Sequence, residues 1–143
     1  MKYFIGTDHA GFAVKPFVIE YLQKKGIEVE DLGTYSSESV DYPDFAHKVA
    51  EAVLANEGTK GILICGSGIG MSLAANKHKG IRAALCHDAY TAEMARRHND
   101  ANILCFGERV VGVGVIESIL EAWLTHEFEG GRHERRVKKI DNF

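Results

Sequence analysis

The stretch Gly61-Ile62-Leu63-Ile64-Cys65-Gly66-Ser67-Gly68-Ile69-Gly70 joins a short apolar run to a loop made almost entirely of glycine and serine. A short run rich in isoleucine and leucine, bounded by glycines, is typical of a buried strand. The small residues after it lead into a segment with helical spacing of apolar residues. The stretch therefore predicts a strand, a tight loop and the beginning of a helix, with one thiol at the entrance of the loop.

The rest of the chain repeats this order of strand and helix. Four further short apolar runs indicate buried strands, at residues 3–7, 27–32, 81–86 and 101–106. Helical spacing is found around residues 17–22 and at 43–56, 70–77, 90–98 and 113–128, and another helix is expected after Gly130-Gly131. This alternation predicts an α/β fold: a single-domain, Rossmann-like three-layer sandwich over residues 1–143, with a five-stranded parallel sheet, helices on both faces and a C-terminal helix.

Composition and charge narrow the possible functions. The 143 residues carry a formal net charge of −3, with 45% hydrophobic and 26% charged residues, the balance of an ordinary soluble globular protein. This charge gives no electrostatic footprint for nucleic acid, and no apolar run approaches the length of a membrane span, so we expect neither partner. Three cysteines without Cys-x-x-Cys spacing indicate no disulfide framework or zinc knuckle, and we expect a reducing, cytoplasmic setting.

The ligands of an open parallel sheet collect outside the carboxyl ends of its strands. The residues that follow the predicted strands are therefore the first candidates for a site: Asp8 and His9, Cys65 with its loop, His87 and Asp88, and Glu108 and Arg109. The pair Asp8-His9 is equally consistent with a helix cap. Cys86 and Cys105 lie inside apolar runs and are expected in the core.

The glycine loop does not fit the nucleotide-binding templates. A dinucleotide fingerprint needs glycine where Met71 stands, and a P-loop needs a Gly-Lys-Ser/Thr ending that is lacking here. A cysteine phosphatase would have an arginine after the loop, where Met71 and Ser72 lie. What remains is a nest of backbone N–H groups at a helix start, suited to an anion. Such N–H groups favour a thiolate, so Cys65 is a candidate base.

Seven motifs spread over the chain carry a family resemblance: Asp8-His9-Ala10-Gly11-Phe12, Asp41-Tyr42-Pro43, the stretch 62–70, Ala74-Ala75-Asn76-Lys77, Gly80-Ile81-Arg82-Ala83, His98-Asn99-Asp100-Ala101-Asn102 and Gly130-Gly131-Arg132-His133. Together they closely resemble the ribose/galactose isomerase family, nearly end to end. The resemblance implies an enzyme that interconverts ribose 5-phosphate and ribulose 5-phosphate without a metal or other cofactor, in the non-oxidative pentose phosphate pathway.

The same resemblance implies roles for individual residues. Cys65 would move the proton between C1 and C2, and His98 would open the furanose ring. Ser67 would join this catalytic set, since it keeps the hydroxyl of the threonine that many relatives carry. The residues implied to contact the sugar phosphate are Asp8, His9, Gly66, Ser67, Gly68, Ile69, Gly70, Asn99, Arg109, Arg132 and Arg136.

An enediolate route suits these residue types. A carbonyl moves along a sugar by a metal-assisted hydride shift or by an enediolate, and the sequence shows no His/carboxylate cluster with metal spacing. The enediolate needs a base over C2, donors for the oxyanion and an acid for the ring. Cys65, the amides of residues 70–72 and His98 match these needs.

Two arginines of the predicted C-terminal helix suit a phosphate. Arg132 and Arg136 are four residues apart, so they share a helix face and can converge on one phosphate. Arg135 and Lys139 share a neighbouring face and are expected to meet solvent.

The position of His98 predicts more than one chain. It ends the helix before the fifth strand, so it should lie at the amino edge of the sheet, opposite Cys65. We therefore expect a homodimer in which each site combines Cys65 of one subunit with His98 of the other, in line with the shared sites that the family resemblance implies. Further pairing into a tetramer stays open.

Other functions stay open as well. An isomerase of allose 6-phosphate or galactose 6-phosphate would need only a slightly altered pocket, although Cys65 and His98 in one chain favour ribose. A non-catalytic sugar-phosphate sensor would keep the arginines and lose the base. A flavodoxin-like redox module would need a second nearby cysteine or a flavin motif.

Overall fold

A computed structural model describes residues 1–143 and confirms the predicted α/β architecture. The strands are β1 (Lys2–Thr7), β2 (Glu28–Asp31), β3 (Lys60–Cys65), β4 (Ala83–Leu85) and β5 (Ile103–Gly107). They form one all-parallel sheet in the order β2-β1-β3-β5-β4. The helices are α1 (Lys15–Lys24), α2 (Tyr42–Ala55), α3 (Ile69–Ala75), α4 (Ala89–Arg97), α5 (Val113–Leu124) and α6 (Arg132–Asp141).

The sheet buries a separate core on each face. Along β1, Tyr3 and Ile5 pack with residues of α1, α4 and α5, whereas Phe4 packs with residues of α2 and α3 on the other side. The indole N–H of Trp123 donates a hydrogen bond to the Tyr3 hydroxyl at 2.9 Å, which gives both buried polar atoms a partner. The alternation of side chains along the strands thus produces the three predicted layers.

The segment after α5 differs from the sequence-based prediction. The helix ends at Leu124, and the predicted final turn through residue 128 is absent. Two contacts hold this segment against α4 instead: the backbone N–H of Glu129 donates to the Arg97 carbonyl at 3.0 Å, and His126 Nε2 lies 3.5 Å from a carboxylate oxygen of Glu93. As a result the start of α6 lies beside the end of α4.

The register of the sheet separates two edges. At the amino edge, the Gly61 N–H donates to the Asn102 carbonyl at 2.9 Å. At the carboxyl edge, Cys65 is paired with Gly107. At the usual rise per residue of a strand, these two points of β3 lie about 13 Å apart. A side chain at one edge therefore cannot contact a side chain at the other.

The three cysteines are buried and unpaired. Burial raises the pKa of Cys86 to about 12 and raises the pKa of Cys105 well above its usual value, so both stay thiols and serve as core residues, as predicted. None of the helices combines the length and the apolar composition that crossing a membrane requires.

Candidate active site

A cavity of about 550 Å³ opens at the carboxyl edge, where β1, β3 and β5 end. It brings together eight of the site residues predicted from the sequence: Asp8, His9, Cys65, Gly66, Ser67, Ile69, Gly70 and Arg109. His87 and Asp88, which follow β4, do not take part. Asp88 instead begins α4, where its carboxylate accepts the Thr91 N–H at 2.8 Å. The expectation that ligands collect at the carboxyl ends of the strands therefore locates the cavity, but it includes two residues that do not line it.

Cys65 is the last residue of β3, and its side chain is held by the glycine loop. Its Sγ accepts a hydrogen bond from the Gly68 N–H at 3.1 Å, and the residue is only 4% exposed. Gly68 has a left-handed backbone (φ 80°), and a Cβ there would lie 2.6 Å from a methyl of Leu85. The Ser67 hydroxyl accepts the Ile69 N–H at 3.2 Å and secures the same turn. The glycine loop thus fixes a backbone donor on the sulfur of the candidate base.

The first turn of α3 supplies free backbone donors. The N–H groups of Gly70 and Met71 have no acceptor in the chain. The Ser72 N–H donates to the Gly68 carbonyl at 3.1 Å, so the expectation that the Ser72 amide stabilises an oxyanion is wrong. The nest that the sequence predicted is therefore formed by two amides, which lie next to the Cys65 cavity.

The sequence left open whether Asp8 and His9 form a local cap or part of a ligand site, and the structure shows both. One carboxylate oxygen of Asp8 accepts the N–H groups of Ala10 and Gly11 at 2.9 and 3.0 Å, which is a local cap, and Asp8 also lines the cavity. His9 Nδ1 accepts the Val40 N–H at 3.2 Å. The proton of the neutral imidazole is therefore on Nε2, which makes His9 a hydrogen-bond donor through that nitrogen.

Two walls of the cavity come from an arginine and a tyrosine. The Arg109 guanidinium lies over Gly66, 3.3 Å from the place a Cβ of that residue would take. Tyr42 lines the cavity although sequence reasoning gave it no role. Its ring fills the space beside Gly70, where a Cβ would come within 2.3 Å of a ring carbon. The available signal was an aromatic residue directly before Pro43, at the start of a helix.

His98 belongs to a second group of side chains, at the amino edge. It follows the last turn of α4, and its ring is stacked on that of His133, with centroids 4.1 Å apart and planes 12° from parallel. The Nε2 atoms of His98 and His133 lie 3.8 and 3.7 Å from the same oxygen of Glu129. Desolvation lowers the pKa of His133, and the nearby His98 and Arg132 lower it further. His133 is therefore neutral at neutral pH.

The remaining predicted site residues also lie away from Cys65. Arg132 and Arg136 are exposed on α6 on either side of His133. Asn99 lines a different cavity, of about 800 Å³, at the amino edge. The structure thus divides the predicted residues between two edges of one sheet, with Cys65 at one and His98 at the other.

His98, Glu129 and His133 offer three ligand atoms within 4.8 Å of one another, of the types that zinc accepts. Sequence spacing did not reveal this group, because its members come from the end of α4, the loop between α5 and α6, and α6 itself. Its geometry is poor for an ion: one metal cannot lie in the planes of two stacked imidazoles. The Arg97 guanidinium also holds the other Glu129 oxygen at 2.6 Å. The group is better described as an Arg97–Glu129 ion pair beside two stacked histidines.

Comparisons with known proteins define the family. A family model described as Ribose/Galactose Isomerase matches residues 3–140. The chain belongs to the ribose/galactose isomerase family, which confirms the resemblance stated from the motifs.

Individual relatives cover almost the whole chain. Ribose-5-phosphate isomerase B of Escherichia coli is 50% identical over 97% of this chain and 93% of its own length. A putative sugar phosphate isomerase of Bacillus subtilis is 51% identical over 100% and 97%. The solved structure of Clostridium thermocellum ribose-5-phosphate isomerase B superposes with a TM-score of 0.96 at 56% identity, over 99% of this chain and 95% of that one.

Proposed function

We propose that this chain is an aldose-ketose isomerase that interconverts ribose 5-phosphate and ribulose 5-phosphate through an enediolate. The observation that carries the proposal is the contact of Cys65 Sγ with the Gly68 N–H, at the base of a cavity that ends in free backbone donors. Relatives that bear the name ribose-5-phosphate isomerase B at about half identity support the substrate.

The residues of this cavity suit the chemistry at C1 and C2. The Cys65 thiolate takes the C2 proton of the open-chain aldose and returns it to C1, while a hydroxyl proton passes from O2 to O1. The charge that develops on oxygen in the enediolate faces the N–H groups of Gly70 and Met71. The hydroxyl of Ser67 and the Nε2–H of His9 also belong to the cavity, and both can form hydrogen bonds to the sugar oxygens. Each positioned base or acid contributes on the order of 100- to 10,000-fold.

We assign opening of the furanose ring to His98 of a second subunit. Within one chain, about 13 Å of strand separate the edge that carries Cys65 from the edge that carries His98. Helix α3 spans this separation: Ile69 at its start lines the Cys65 cavity, and Asn76, directly after its end, lines the amino-edge cavity with Asn99. Antiparallel pairing of two copies of α3 about a twofold axis would place Cys65 of each subunit beside the His98 edge of the other.

The surface around α3 supports this pairing. Ile69 and Leu73, one turn apart on α3, are 51% and 63% exposed, and Val110 beside them is 55% exposed. Exposed apolar side chains that ring a cavity mark an interaction surface more often than a free one. In the paired form, Arg132 and Arg136 would bind the phosphate together with Arg109 of the other subunit.

Turnover of purified sugar phosphates tests this proposal. We expect isomerisation of ribose 5-phosphate in D₂O, with deuterium taken up from solvent at the carbon that receives the transferred hydrogen. Faster turnover of allose 6-phosphate or galactose 6-phosphate would replace the substrate but retain the chemistry. Binding of ribose 5-phosphate without any exchange would instead favour a sensor.

The unpaired state of all three cysteines supports the expected cytoplasmic setting.

A further inference from the structure

Glu129 occupies a place between the two helices that carry the amino-edge part of the proposed site. Its backbone N–H donates to the Arg97 carbonyl at the end of α4, at 3.0 Å. It is followed by Gly130 and Gly131, both with positive φ, and then by α6. Its backbone is therefore held at the end of α4, and the chain enters α6 three residues later.

The two oxygens of the Glu129 carboxylate have different partners. Oε2 accepts a hydrogen bond from Arg97 Nε at 2.6 Å. Oε1 lies 3.8 Å from Nε2 of His98 and 3.7 Å from Nε2 of His133. Because the guanidinium binds one oxygen, the other faces the stacked imidazoles and cannot rotate away without losing the arginine.

We propose that Glu129 is a positioning residue for ring opening: its carboxylate, held by Arg97, orients the His98 imidazole, while the His133 ring fixes the plane of His98. This inference rests on the proposed function, in which His98 is the acid. It adds that the acid depends on a carboxylate contributed by the loop before α6. The network also ties the acid to the helix that carries Arg132 and Arg136.

The charges around this group are consistent with such a role. Arg97 and the two histidines all lower the pKa of Glu129, so the carboxylate is ionised throughout the neutral range. His133 is neutral there, because its own pKa is lowered. One negative oxygen therefore faces the Nε2 atoms of both rings, and of these His133 is uncharged. Of the two rings, His98 is the more exposed and can reach a bound sugar.

Rates measured in the two directions of the reaction distinguish a loss of acid positioning from a general structural defect. Ribose 5-phosphate is mainly a closed furanose and needs ring opening. Ribulose 5-phosphate has its C5 oxygen esterified, so it cannot form a furanose and reaches the enzyme open. A variant that impairs only the acid should lose rate with ribose 5-phosphate and keep it with ribulose 5-phosphate, because the open aldose can leave and close in solution.

The experiment compares Glu129→Gln, Glu129→Asp and Glu127→Gln in the full chain, with initial rates measured in both directions. Glu127 is an exposed carboxylate in the same loop, so its variant is matched in charge and position. We expect both Glu129 variants to lower kcat with ribose 5-phosphate about tenfold, a fraction of the effect of losing the whole acid, and to change the rate with ribulose 5-phosphate less than about twofold. Glu127→Gln should match the wild type.

Several outcomes would overturn the proposal. Equal losses in both directions would show that Glu129 is only structural, and unchanged rates or an equal loss in Glu127→Gln would show that the carboxylate does not act on His98. If Glu129→Gln does not fold, Arg97→Gln frees the same carboxylate and should give the same preference for the open substrate. His98→Asn serves as the reference: if it shows no such preference, the acid assignment in the proposed function fails, separately from the role of Glu129.

Discussion

The Gly68 N–H donates to the Sγ of Cys65 at 3.1 Å, which makes a backbone amide the fixed partner of the thiol. The contact depends on a left-handed backbone at Gly68, next to β5. The strand, the loop and the base are therefore one structural unit: a change that moves the loop also removes the hydrogen-bond donor on the sulfur.

The first prediction concerns this glycine. In Gly68→Ala, the new Cβ would lie 2.6 Å from Leu85 and 2.7 Å from the Phe106 backbone, in a conformation that only glycine adopts readily. We expect a loss of roughly 2 kcal/mol or more in the free energy of unfolding, and a lower kcat in the molecules that remain folded. Gly112→Ala is the control, because it meets open space at a negative φ; as the N-cap of α5 it should lose no more than about 1 kcal/mol. Equal stability of the two variants in urea would contradict the packing argument.

The second prediction concerns Cys65 as the base. Cys65→Ser keeps the shape of the side chain but replaces a thiol with a hydroxyl that is far harder to ionise. We expect solvent exchange at the transferred hydrogen to fall on the order of 100- to 10,000-fold, with substrate affinity largely kept. Exchange is measured by NMR in D₂O and affinity by calorimetry. Cys86→Ser, at a buried thiol of the opposite core, should leave exchange per folded molecule intact. Exchange that persists in Cys65→Ser would remove Cys65 as the base.

The third prediction tests the shared site. Cys65→Ala and His98→Asn chains, each inactive with ribose 5-phosphate, are mixed and allowed to exchange subunits. In a twofold dimer, each mixed pair has one site with both residues intact, so random exchange should restore about a quarter of the wild-type activity. Sedimentation must show dimers before and after mixing. A mixture that exchanges fully and stays inactive would place both residues of each site in the same chain.

The sequence predicted the fold because the short apolar runs of strands and the helical spacing of apolar residues are both local signals. Short apolar runs identified all five strands, and the residues after β1, β3 and β5 identified most of the cavity. It also placed His98 at the opposite edge, since that inference needs only the order of helix and strand. What it missed depends on contacts between distant segments.

Three misses show this dependence. The end of α5 was predicted too late because residues 125–131 are held by α4 and not by their own helical pattern. Tyr42 was missed because its role comes from packing on Gly70, which is 28 positions further along the chain. The contact of Glu129 with His98 was missed because it depends on where α6 begins in space.

The fourth prediction concerns the phosphate. Arg136→Ala should raise KM for ribose 5-phosphate roughly tenfold or more while changing kcat little, because charge-assisted hydrogen bonds to a phosphate contribute mainly to binding. Arg135→Ala is the matched control: Arg135 lies on another face of α6, beside Lys138 and Lys139. Steady-state kinetics with both variants distinguish a specific contact from a general effect of positive charge. Equal changes in KM would contradict the assignment of Arg136.

The last prediction concerns stability and compares one substitution at two threonines. Thr7 is fully buried, and its hydroxyl has no hydrogen-bond partner. Thr7→Val removes that unpaired group at nearly constant volume and should raise the free energy of unfolding by about 1 kcal/mol. Thr91 is the opposite case, because its hydroxyl and N–H form a reciprocal cap with Asp88 at the start of α4. Thr91→Val should therefore lower the free energy of unfolding by about 1 kcal/mol. Denaturation in urea measures both values, and the same sign in both variants would show that the side-chain hydrogen bonds of the structure do not govern these two sites.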